Sequence, residues 1–206
     1  KGWVAYLLDE PFECREVLQQ LLELALRSGE REIAIHGRIW LTEVALSIGD
    51  MDEAATEHAR AAVNECRLLR QSEYLDFALA TWCSALLIRR DAVAAHAPMS
   101  ELFRLERKGN TCPAYVLMAV GALAAVRGHV EDALRLLGYT DGEDSENEVR
   151  RRIDRRVLAA ADEAIANSSV AAQQVEQLRA AGRKLSERDA TELAAGLLLR
   201  LCPTPV

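Results

Sequence analysis

Three times along the chain a helical stretch runs into a turn and then reaches an alanine at the same offset in the next helix. The pattern reads Gly49-Asp50-Met51-Asp52-Glu53-Ala54, then Arg90-Asp91-Ala92-Val93-Ala94-Ala95, then Gly128-His129-Val130-Glu131-Asp132-Ala133. The alanines stand 41 and 38 residues apart, a spacing that suits stacked helical hairpins, in which a small side chain lets two helices approach closely. Such a repeat constrains architecture far more than it constrains chemistry.

Composition agrees with a helical reading. The 206 residues are 50% hydrophobic but only 5% aromatic, and a core of Ala and Leu favours long helices over strands. A chain of this length buries roughly 70% of its unfolded surface. With 25 basic against 32 acidic residues the net charge is −7, which argues against direct nucleic-acid contact, because a phosphate-binding surface needs clustered cations. Cys14, Cys66, Cys83, Cys112 and Cys202 are odd in number and set mostly among apolar helical residues, so they read as reduced thiols in a cytoplasmic protein rather than a disulfide framework. The longest apolar run, 114–126, is too short for a bilayer that needs about 20 residues, and no export signal is expected. The chain opens at Lys1 with the helical pattern already under way, which suggests a piece of a longer polypeptide.

Apolar periodicity predicts helices over 12–28, 30–48, 50–70, 72–89, 91–108, 113–127, 130–137, 148–167, 169–181 and 186–201. Gly49 is expected to end the second in the left-handed conformation. Asp50 with Glu53, and Ser186 with Asp189, are expected to cap the helices that follow them. Pro98 should kink its helix or mark its true start, and Pro113 suits a first helical position. The Gly, Asp, Glu, Ser and Asn cluster from Gly138 to Asn147 reads as an exposed loop. The expected division is therefore helical hairpins over 1–138, a loop over 139–147 and C-terminal capping helices over 148–206.

Against the tetratricopeptide pattern, Ala54, Ala95 and Ala133 take the small position of the second helix, and Thr42, Cys83 and Gly121 that of the first. Gly49 and Gly128 match the turn glycine; Arg90 and Arg38 depart from the pattern, and the period exceeds the usual value of about 34. The chain more closely resembles the C-terminal helical-repeat region of large bacterial signalling ATPases, as in LuxR-type and antibiotic-regulatory transcription activators and related multidomain cyclases. Leu69-Arg70-Gln71-Ser72-Glu73-Tyr74, Asp132-Ala133-Leu134-Arg135-Leu136-Leu137-Gly138 and Ala181-Gly182-Arg183-Lys184-Leu185-Ser186 carry that resemblance. It implies an all-α fold, a right-handed superhelix of tetratricopeptide-like hairpins with a C-terminal helical cap. It also implies a sensor or docking arm beside an ATPase or DNA-binding domain.

No phosphate loop, dinucleotide fingerprint, nucleophile elbow or zinc-binding HExxH helix occurs, so no catalytic residue, cofactor or metal site is assigned. His36, His58, His96 and His129 lack metal-ligand spacing. The run Arg150, Arg151, Arg152, Arg155 and Arg156 is read as a solvated face paired with Glu146 and Glu148. Projecting the hairpin pattern onto a concave inner face places His36, Ile39, Trp40 and Glu43 there, then Phe77, Ala80, Thr81 and Ser84, then Tyr115, Met118 and Ala122. The binding residues assigned are His36, Trp40, Glu43, Phe77, Thr81, Ser84, Tyr115 and Met118, an aromatic wall with a few polar groups suited to a peptide, helix or small effector. The expected function is that of a non-enzymatic interaction or sensor module binding a protein or peptide on this face. A small-molecule effector receptor and a structural oligomerisation arm are the alternatives.

Overall fold

Apolar residues at helical spacing fold the described part of this chain into helices. The computed structural model describes residues 11–49, 52–70, 72–141 and 148–202. Its helices are α1 (Pro11–Ser28), α2 (Arg31–Ile48), α3 (Asp52–Leu69), α4 (Ser72–Ile88), α5 (Ala92–Glu106), α6 (Ala114–Val126), α7 (Val130–Tyr139), α8 (Glu148–Ala166), α9 (Ala172–Gly182) and α10 (Glu187–Arg200). Among the described residues there is no strand, only an isolated bridge between Lys108 and Thr111. The expected helices are all present, their ends displaced by at most a few residues.

Two local expectations change, and of the two alternatives for Pro98 the helix start is removed. Pro98 lies inside α5, which starts well before it, where the Asp91 carboxylate accepts the Ala94 N–H at 3.0 Å. Pro113 is the N-cap of α6, not its first residue. And α7 runs on through Gly138 to Tyr139, with Gly138 and Thr140 buried rather than looped out. The Ser186 cap forms as expected, its hydroxyl accepting the Asp189 N–H at 3.2 Å. The expected Asp50 cap and the loop over 142–147 lie outside the described residues.

One backbone device repeats at every early chain reversal. Positive φ occurs at Gly29, Gly49, Arg70, Arg90, Gly109 and Gly128, one in each of the first six interhelical connections. At three of them the next residue reaches back to the same carbonyl of the helix just ended: Glu30 N to Ala25 O, Asp91 N to Leu86 O and His129 N to Ala124 O, each 2.9 Å. This pairing satisfies orphan helix-end carbonyls and turns the chain back at once. Arg90 does it with φ 60°, a conformation that suits glycine, and its guanidinium grips both carboxylate oxygens of Glu163.

The turn also explains where the repeat alanines fall. α2, α4, α5 and α7 begin two residues after their left-handed residue, whereas α3 begins three after Gly49. Ala95 and Ala133 are fully buried, and the same offset in α2 holds buried Ala34. Ala54 is only half-buried; its neighbour Ala55 is 0% exposed, and the Ala55 carbonyl accepts the Thr42 hydroxyl at 3.2 Å.

The chain divides into two compact units, Lys1–Ala85 with Ser145–Asp154 and Leu86–Asp144 with Arg155–Val206. In the first, α1 packs on α2 and α2 on α3, around Leu18, Leu22, Ile35, Ile39 and Leu46. In the second, α6 is buried without a break from Val116 to Ala125. Packing against α5, α7 and α10 accounts for a helix that is apolar all round. α7 packs against α9 as well, and there the backbones touch. A Cβ on Gly138 would lie 2.2 Å from the Arg179 carbonyl oxygen, and one on Gly182 would lie 2.0 Å from that of Arg135. The contact is reciprocal and antiparallel, each glycine sitting on the other helix one turn before the other glycine. Asp141 seals its edge, accepting from Arg179 at one oxygen and Arg183 at the other, both at 2.9 Å. The C-terminal turn of α10 is held by His96, whose Nε2 lies 2.8 Å from the Leu198 carbonyl oxygen.

Gly138→Ala and Gly182→Ala should each cost on the order of 3 kcal/mol in urea unfolding, because backbone must move to admit the methyl group. Gly37→Ala, whose new Cβ would meet Leu22 at an ordinary 3.5 Å, should instead stabilise by up to about 1 kcal/mol through helix propensity. Equal effects at the three sites would contradict the close crossing. Arg90→Gly should raise the thermal midpoint in high salt, where the exposed pair with Glu163 is screened and relief of the left-handed backbone is what remains.

Candidate functional site

The assigned binding residues separate into an aromatic group at the surface and a polar group inside. His36 and Trp40 lie one turn apart on α2, the spacing that puts two side chains on one face. Their rings stack with centroids 6.1 Å apart and planes at 23°. His36 also meets Tyr74 of α4 edge to face at 4.4 Å and 82°. Edge-to-face and offset arrangements are those that ring quadrupoles favour, worth about 1 kcal/mol per pair beyond burial. All three rings are half-buried. Phe77, one turn beyond Tyr74, is 40% exposed. Tyr74 was not assigned to this surface from the sequence, although its place three residues before Phe77 puts both on one side of α4.

The polar members face inward. Glu43 is 2% exposed, and Thr81 and Ser84 are buried. The Thr81 hydroxyl donates to the Phe77 carbonyl at 2.9 Å and that of Ser84 to the Ala80 carbonyl at 2.9 Å. A helical hydroxyl that bonds the preceding turn is spent within its own helix. Tyr115 and Met118 belong to the second compact unit; Tyr115 is half-buried and Met118 is buried within α6. The structure thus brings together His36 and Trp40 with Tyr74, and it withdraws Glu43, Thr81 and Ser84 from solvent.

A charged group lies between α2 and α3 in the same unit. Arg38 Nε stands 3.5 Å from Glu65 Oε2, both largely covered. Burial lowers the His58 pKa from its ordinary value, the Arg38 charge lowers it further and Glu57 partly opposes them. Burial likewise pushes the thiols up, Cys66 to about 11 with help from Glu65 and Asp76, and Cys112 to about 12 with help from Glu106. Thiols held protonated in this way are poor nucleophiles. No cluster of His, Cys, Asp and Glu among the described residues could hold a metal ion, and no described helix is long and apolar enough to cross a membrane. Of the basic run on α8, Arg152, Arg155 and Arg156 all have interaction partners.

No protein-family model, curated protein or solved structure matches this chain.

The lowered His58 pKa carries a sign. The unfolded chain binds this proton more readily than the folded one, so the contribution of His58 is complete above about pH 6.5 and is lost as pH falls toward the folded value. Between pH 7.5 and 5.5 the urea midpoint should therefore drop more in the wild type than in His58→Gln; parallel profiles would count against it. Thiol labelling checks the cysteines independently. Cys14, Cys66, Cys83 and Cys112 are buried and Cys202 is exposed, so the native protein should react rapidly at one thiol and Cys202→Ser at none.

Proposed function

We propose that this chain is an interaction and sensor module that acts by binding rather than catalysis, built from tetratricopeptide-like hairpins and belonging to a multidomain bacterial transcriptional regulator. The right-handed superhelix expected of such hairpins is part of the proposal. The observation that carries it is the regular reversal of the chain. Left-handed residues at 29, 49, 70, 90, 109 and 128 recur about every 20 residues, and α2 on α1, α3 on α2, α6 on α5 and α7 on α6 each pack against the helix before, the construction expected of a repeat array. Such arrays recognise partners by presenting side chains from successive helices on a shared face. In the first unit His36 and Trp40 of α2 with Tyr74 of α4 supply half-buried, mutually supported rings, and exposed Phe77 follows on α4.

The partner this surface suits is a peptide or helix with apolar anchors. Pre-packed aromatic rings offer contact area at little conformational cost and often dominate binding energy. With the buried hydroxyls already bonded to their own helix, specificity would come from ring shape and neighbouring charge. Peptides selected from a display library against the whole chain should bind the wild type and lose at least about tenfold in affinity to Trp40→Ala and to Tyr74→Ala, roughly 1.4 kcal/mol or more. Circular dichroism and the urea midpoint establish that each variant is folded. Unchanged affinity in two folded variants rejects the aromatic surface as the binding face.

A further inference from the structure

We draw no further inference here: the strongest candidate, the apolar stripe of Val17, Leu21 and Leu24 along the outer side of α1, is an incompletely buried helix face for which nothing in the structure shows what covers it.

Discussion

Each connection among the first seven helices contains a residue in the left-handed conformation, and the chain reversals within each unit depend on it. A helix leaves its last carbonyls without partners, and a chain that continues in right-handed conformations carries the next helix away from the first. One residue of positive φ lets the following N–H return to a carbonyl of the last turn, so the orphan acceptor is satisfied and direction reverses together. The bonds from Glu30, Asp91 and His129 are the same bond at three places. Where the connection is only two or three residues long, as before α2, α3 and α7, the next helix lies against its predecessor. Beyond α7 the described connections contain no positive φ, and the last helices are placed by contacts remote in sequence, such as His96 to Leu198 and Arg200 to Asp132.

Short turns bring helices close, and small residues decide how close. A Cβ added to Gly121 would lie 3.2 to 3.3 Å from Leu136 and Leu137 across the α6 and α7 contact, so a methyl group there would require leucine side chains to give way. At the crossing of α7 and α9 there is no side chain to give way, since the opposing atoms are main-chain. Close approach of this kind brings more atoms into dispersion contact, and the apolar length of α6 is enclosed only if its neighbours lie tightly around it. The Asp141 pairs with Arg179 and Arg183 sit at the rim of this contact. Partly exposed ion pairs of this kind add little energy of their own; their geometry fixes which way α9 meets α7.

Much of this was legible because the signals were local. Apolar spacing marked the helices, Gly128 its turn, and Ser186 with Asp189 a cap whose donor and acceptor are three residues apart. What escaped notice depended on neighbours. Ala54 keeps the written pattern yet is only half-buried, while its neighbour Ala55 is the one fully enclosed. Arg70 and Arg90 occupy glycine's conformation without glycine's signature; at Arg90 the supporting carboxylate, Glu163, lies 73 residues away. The inner face was harder still. Helical spacing places Glu43 and Trp40 on nearby sides of α2, and only the packing of other helices buries the first and leaves the second half open.

That last distinction bears on what the aromatic surface can do. A buried hydroxyl whose proton is already given to its own helix has no donor left to offer a ligand, and exposing it would first require breaking that bond. Thr81 and Ser84 are therefore part of the scaffold beneath the surface. A half-buried ring differs, because the face that packs against its neighbour fixes the rotamer while the other face stays available to gain apolar contact. His36 holds two such rings, Trp40 on its own helix and Tyr74 on another, so these positions on α2 and α4 are coupled through one imidazole. A partner of the proposed kind would meet a surface whose shape is set before it arrives, and the ordering cost that flexible side chains impose on binding would be largely avoided.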